Sequence, residues 1–264
     1  MIVQQHSSGL LLFRQTDHAL LSGAFAAAWG NDLVPAPARR VATIVAAARH
    51  DDGWAEWELS PKLNKDGEPV DFIHIPIADH TRLYKHGIDL VESEDPYAGL
   101  IASLHGQRLY TRPFYPGMDP RIDHLTGRDL EIATAYVEGE RDRQERLRQV
   151  VDGDGLTDDA EEGWRLLQVW DRLSLLVCMS PLRAGTDQNL PPMAARSGDV
   201  TMLARANDKG ELLCDPYPFT HEPATFTIEA FRTPDRTWPS EAGYRQALRT
   251  AAERVLVTFT CRAG

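Results

Sequence analysis

The chain has 264 residues and a formal net charge of −11, enough length to bury a substantial core without covalent staples, as one large domain or two small ones. That acidity excludes duplex nucleic acid and an anionic membrane as partners, because either needs a basic face to neutralise phosphates. The three cysteines, Cys178, Cys214 and Cys261, are odd in number and far apart, with no C-x-x-C pair, so they read as reduced core or strand residues rather than a disulfide framework or zinc knuckle.

The chain opens Met-Ile-Val-Gln-Gln-His, without a positive n-region and an apolar h-region, and no apolar run approaches the ~20 residues of a membrane span. A cytoplasmic protein is expected. Residues 2 to 5 and 10 to 14 flank His6-Ser7-Ser8-Gly9 and read as two short strands around a turn. A helix opens at Gln15-Thr16-Asp17, with Thr16 as expected N-cap and Asp17 favourable at the positive end of the dipole. Its inward face carries His18, Leu21, Ser22, Phe25 and Trp29, and Gly30 ends it.

Pro35-Ala36-Pro37 leads into a second helix, Arg39 to Ala48, whose expected interior is Val41, Ala42, Ile44, Val45, Ala46, Ala47 and Ala48. It delivers Arg49-His50-Asp51-Asp52-Gly53-Trp54. At a helix end the backbone no longer holds neighbouring side chains about 100° apart, so an adjacent imidazole and carboxylate can turn toward one cation. Trp57 to Ile77 is irregular, with a turn at Lys65-Asp66-Gly67 and a strand expected at Phe72 to Ile75. Asp79 is expected to cap a short helix carrying His80, Leu83, Tyr84 and His86 before Gly87. Asp95-Pro96 is a cleaner start, for a helix to about Arg108 with Ala98, Ile101, Ala102, His105 and Leu109 inward.

Tyr110 to Asp123, with its prolines and aromatics, reads as a loop. A charged helix from Arg128 to Val151 follows, expected to pack through Leu130, Ala133, Tyr136 and Val137, and Asp152 to Gly155 breaks it. Thr157 is the expected cap of the next helix, almost wholly apolar from Trp164 to Met179 and therefore central. It nevertheless contains Asp171, on the face of Leu167, Trp170, Ser174 and Cys178. An ionised carboxylate there requires a cation, strong donors or a raised pKa. An arginine such as Arg39 or Arg108 is one alternative partner.

Past Ser180 a loop is expected over 182 to 198. Strands are expected at Val200 to Arg205, Glu211 to Cys214, Ala224 to Phe231 and Val255 to Cys261, with a helix between Glu241 and Arg254. The expected fold is mainly α with an added β region, an α+β protein. Residues 1–181 would form a helical domain with an N-terminal hairpin, and 182–264 a strand-rich extension packed on it as one unit.

Four helices thus each set one metal-competent residue or pair in apolar surroundings: His18, His50 with Asp51, His105, and Asp171. Mixed imidazole and carboxylate donors suit Zn²⁺, Fe²⁺ or Mn²⁺ rather than the oxygen-loving Mg²⁺ or Ca²⁺. The order His18, then His50-Asp51, then a distant Asp171 on a later buried helix resembles the HD-domain superfamily of metal-dependent phosphohydrolases, over about residues 15 to 180. The resemblance implies an HD-like helical bundle in which these four residues bind one metal. In two-metal members, and in the di-iron oxygenases of this fold, extra histidines lie between the pair and the last Asp. His80 and His105 are the candidates for that role, His86 a weaker one, with Asp51 as bridging and catalytic ligand.

The strings Gln15-Thr16-Asp17-His18, His50 to Trp54, Tyr97 to His105 and Asp171 to Ser174 are also similar to those of an uncharacterised bacterial family of unknown function. Gln15, Trp54, Tyr97 and Arg108 are the expected substrate contacts, against ordinary packing for the aromatics. Lys62, Lys65, Arg82, Lys85 and Arg112 join Arg108 as cations that could line a mouth, against plain solvated surface. The tryptophan-rich loop after His50-Asp51 and the strand-rich tail depart from a minimal HD domain. The expected function is a hydrolase of a small phosphorylated molecule or nucleotide, using one or two Fe, Mn or Zn ions. A di-iron oxygenase and a non-catalytic metal- or ligand-binding protein are the alternatives, and a homo-oligomer stays open.

Overall fold

The computed structural model describes residues 1–113, 118–151, 157–182, 185 and 187–264. Its sheet is built from both ends of the chain. Strands β1 (Ile2–His6) and β2 (Gly9–Phe13) form the expected hairpin, with Ile2 opposite Phe13. They are joined by β3 (Asp187–Ala195), β4 (Gly198–Ala206), β5 (Leu212–Asp215), β6 (Ala224–Thr233) and β7 (Glu253–Ala263) in one seven-stranded sheet of order β1-β2-β6-β7-β5-β4-β3. Among these pairings only β5 with β7 is parallel. The protein is a mixed α+β structure.

Alternation along β6 and β7 explains how the sheet seats itself. Phe226 and Phe259 point to one face, where Phe25 packs edge-on at 4.7 Å from the Phe226 ring centroid. Thr227 and Thr258 pair across the opposite face at 3.0 Å. Helix α8 (Glu241–Thr250) covers part of the other side by stacking the buried Tyr244 on Trp238.

The helical body comprises α1 (Gln15–Ala28), α2 (Arg40–Arg49), α3 (Trp54–Leu59), α4 (Ile77–Glu94), α5 (Pro96–Thr111), α6 (Gly127–Val151) and α7 (Thr157–Met179). α1, α2, α5 and α7 touch in a ring, α1 on α2 and α7, α5 on α2 and α7. α7 is the buried element expected from its composition. Asp95 caps α5 as expected, accepting from Tyr97 N at 2.8 Å and Ala98 N at 3.0 Å. No helix among the described residues is long and apolar enough to cross a membrane.

Several local expectations are corrected. The cap of α1 is Arg14, not Thr16, whose hydroxyl instead donates to Glu58 at 3.0 Å. In α2 the buried residues are Ala42, Thr43, Ala46 and Ala47, and Val41 is 77% exposed. The apolar run there is longer than the strip that packs. Phe72 to His74 is a 3₁₀ turn rather than a strand, because Asp71 caps it through Ile73 N at 3.0 Å. The region read as a tryptophan-rich loop starts with α3, and Leu130 of α6 lies exposed. Tyr110 belongs to α5, and Arg121–His124 forms a 3₁₀ turn inside the expected loop. The loop over 182 to 198 contains β3. Its Pro191 and Pro192 are tolerated because β3 is an edge strand and its register shifts between Asn189 and Pro192. The break at Asp152 to Gly155 and the capping side chain of Thr157 lie outside the described residues.

α4 does not stop at Gly87, and the reason bears on the site. A side chain on Gly87 would meet Gly53 N at 2.7 Å, and one on Gly53 would meet Leu83 O at 1.9 Å. The two glycines therefore let the turn after His50-Asp51 lie directly on α4. Gly53→Ala is expected to destabilise the protein by about 3 kcal/mol through overpacking against backbone that cannot yield. Thermal melting would measure it, and an unchanged midpoint would show the contact to be adjustable.

Candidate metal centre

His18 sits in the first turns of α1, His50 at the C-cap of α2 with Asp51 following, His105 in α5 and Asp171 in α7. All five are buried. His18 Nε2 lies 3.1 Å from Asp171 Oδ1 and 3.5 Å from Asp51 Oδ2. His50 Nε2 is 3.7 Å from each of the same two carboxylate oxygens. Two triads, His18-His50-Asp51 and His50-His105-Asp171, each bring their ligand atoms within 4.8 Å of one another.

The backbone and a serine orient both imidazoles. His50 Nδ1 donates to the Ala47 carbonyl at 2.8 Å, since a carbonyl can only accept. Ser174 Oγ gives its one proton to the Asp171 carbonyl at 2.8 Å, so at 2.5 Å it accepts from His18 Nδ1. Each ring thereby turns Nε2 toward the carboxylates, the arrangement by which outer partners aim metal-ligating histidines. Ser174→Ala is expected to lower metal affinity about tenfold with the fold retained. Competition against a chelator would read it, and unchanged affinity would remove Ser174 from that role.

The electrostatics fit a cation. Burial pushes the His18 imidazole down, but hydrogen bonds to Asp171 and Asp51 outweigh it and raise the pKa to about 9. His50 is raised too, its burial outweighed chiefly by the charge of Asp51. Burial would raise both carboxyls, yet His50 and His18 hold Asp51 below the usual range, and His18 and His50 hold Asp171 well below it. Two carboxylates held in their ionised form thus share a buried site. His50 Nε2 and Asp51 Oδ1 are buried without a hydrogen-bond partner, an arrangement costing roughly 1–3 kcal/mol per atom unless something else meets them. These buried groups could hold a metal ion, which would meet the unpartnered His50 Nε2.

His105 is close but unlike the others. Burial is the largest influence and lowers its pKa to about 4, so it is a neutral donor. Its ring centroid is 5.0 Å from that of His50. His80 stands outside both triads. It packs among Trp54, Tyr84 and Tyr110, donates from Nδ1 to Tyr110 at 2.7 Å, and faces Arg121 Nη1 with Nε2 at 3.3 Å. His86 is exposed on α4.

A cavity of about 420 Å³ opens onto the cluster, with His18, Asp51, His105 and Asp171 on its wall beside His80 and Tyr84. Gln15 lines it as well. Trp54 is buried behind His80, and Tyr97 lies away under the Arg39 guanidinium at 5.4 Å. Arg108 pairs with Glu161 at 2.8 Å and stacks on Trp164, beside a small space of about 20 Å³ rather than the main cavity. Of the cations expected at a mouth, Arg112 lines this cavity, whereas Arg82 pairs with Glu56 and Lys62 with Glu241. Asp171 is paired with the histidines and not with Arg108 or Arg39. Two further residues of this wall carry no site signal in the sequence: Arg121 lies in an aperiodic stretch, and Tyr84 is one residue among several on the helix after Asp79.

A family profile described as "Protein of unknown function (DUF3891)" matches residues 1–234. No curated protein and no solved structure matches the chain.

Proposed function

We propose that this chain, which belongs to the DUF3891 family of proteins of unknown function, is a metal-dependent hydrolase of a small phosphorylated molecule or nucleotide. One observation carries the reading: His18, His50, Asp51, His105 and Asp171 form two overlapping buried triads, each with its ligand atoms within 4.8 Å of one another, and all but His50 line a small-molecule-sized cavity. Their mixed nitrogen and oxygen donors suit Zn²⁺, Fe²⁺ or Mn²⁺. An ion held there supplies Lewis acidity, polarising a phosphoryl oxygen and acidifying water near neutral pH.

The remaining roles belong to the chain. Asp51 Oδ1, buried and unpartnered, is placed to take a proton from attacking water. The Tyr84 phenol stays protonated well above its usual range, through burial first and then the charges of Asp51 and Asp171, so it can donate to a developing negative oxygen. Ligands drawn in order from α1, α2 and α7 support an HD-like arrangement. His80 favours hydrolysis over di-iron oxygenation: with Arg121 against Nε2, it is poorly placed to help complete a second iron site.

Elemental analysis of protein purified without added metal, with a panel of phosphate esters and nucleotides, tests the reading. One stoichiometric transition metal and turnover that disappears in His50→Ala are expected. Absence of any stoichiometric metal across several growth conditions would sink it.

A further inference from the structure

Arg121 is the unexplained charge in this cavity. One N–H meets His80 Nε2, and the guanidinium lies 5.4 Å from the Tyr110 ring centroid. Its other N–H groups have no partner among the described residues, and neither Arg121 nor Arg112 has a carboxylate within ion-pair distance there. An arginine can only donate, so Nε2 carries the lone pair and His80 keeps its proton on Nδ1, toward Tyr110. His80 and Tyr110 thus act as a bracket that holds Arg121 against the cavity. Away from the His/Asp cluster the wall is mainly apolar, with Phe72, Ile73, Leu109, Leu175 and Met179, and Asp119 also lines it.

We infer that the cavity selects a compact molecule with an apolar body and an anionic group, and that Arg121, oriented by His80 and Tyr110, receives the anion. A guanidinium with unused N–H groups beside a largely apolar space is a ready donor to a charge of opposite sign. The body fits the aliphatic and aromatic wall, and about 420 Å³ limits it to small-molecule size. As a description of the substrate this rests on the hydrolase reading: the reacting phosphoryl group would lie at the His/Asp cluster and a further anionic group at Arg121. His80 is then a positioning residue.

Titration calorimetry with 1-octanesulfonate below its micellar range, beside neutral 1-octanol, tests this on chelator-treated and metal-loaded protein. The sulfonate is expected to bind both forms at least tenfold more tightly than the alcohol. Arg121→Gln, at a partly exposed turn, should weaken the sulfonate about tenfold and leave the alcohol unchanged. His80→Gln and Tyr110→Phe should weaken it severalfold without altering metal content. Equal affinity for sulfonate and alcohol, or an Arg121→Gln variant that binds both like wild type, overturns the inference. Loss of metal in His80→Gln would make His80 a ligand and overturn its positioning role. Arg121-dependent binding by a protein that holds no metal would preserve the anion site while removing the hydrolase reading, so the two fail separately.

Discussion

Asp171→Ala is expected to lose its metal and all turnover, and to destabilise the metal-free protein by about 3–5 kcal/mol, the usual result of stripping one partner from a buried charge pair. Asp171 Oδ1 is the closest carboxylate atom to His18 Nε2, at 3.1 Å, and also lies 3.7 Å from His50 Nε2. Its removal leaves two imidazoles, both raised toward the charged form in its presence, with Asp51 alone for balance. Asp171→Asn preserves shape and one oxygen, so it should fold better than the alanine variant yet still fail to hold the ion. Metal analysis and denaturant unfolding in chelator separate the two effects. Retention of stoichiometric metal by Asp171→Ala would take Asp171 out of the ligand set, leaving its burial to be explained by the histidines alone.

The cluster was legible because each member breaks a local rule. A carboxylate inside the apolar run from Trp164 to Met179 must have a partner, and three other helical faces each offered an unexplained imidazole or imidazole–carboxylate pair. Helix periodicity placed His18, His105 and Asp171 on inward faces, and the structure brings them together with His50 and Asp51. His80 shows where that reasoning stops. It is as buried as the others, but burial alone does not say which neighbour the lone pair faces, and here the neighbour is a cation from a segment without periodicity. Thr16 and Val41 failed for a related reason. Cap and apolar patterns describe an isolated helix, and Glu58 from α3 or open solvent decided their fate. The edge position that makes Pro191 and Pro192 compatible with β3 depends on strand order, which local pattern does not contain.

The buried histidines also make stability depend on pH in a way their positions dictate. Burial, aided by Arg121, lowers the folded pKa of His80 to about 3, and burial lowers that of His105 to about 4, against 6.5 unfolded. Between those values and 6.5 the unfolded chain binds more protons, so acidification destabilises by about 1.4 kcal/mol per pH unit for each histidine. His18 and His50 act oppositely. Their folded values are raised, His18 to about 9. Their contribution in metal-free protein is therefore complete below 6.5 and lost as pH rises through their folded values, about 9 for His18. The depressed Asp51 and Asp171 lose theirs only below the ordinary carboxylate range. The four histidines together favour the fold most near pH 6.5.

Glu58 and Glu140, both raised mainly by burial, gain protons on folding and offset part of the acid loss. The slope of wild type alone is thus ambiguous, and the difference from His80→Gln isolates the histidine. Denaturant unfolding in chelator from pH 6.5 to 4 should give a slope about one proton shallower in that variant, with the alkaline limb unchanged. Identical acid slopes would mean that His80 takes up its proton while folded. Arg121 against Nε2 and the Nδ1 bond to Tyr110 argue against that, because a protonated ring would press a second cation onto the guanidinium. Saturating metal should flatten the alkaline limb, since ligation keeps His18 and His50 deprotonated in the folded state.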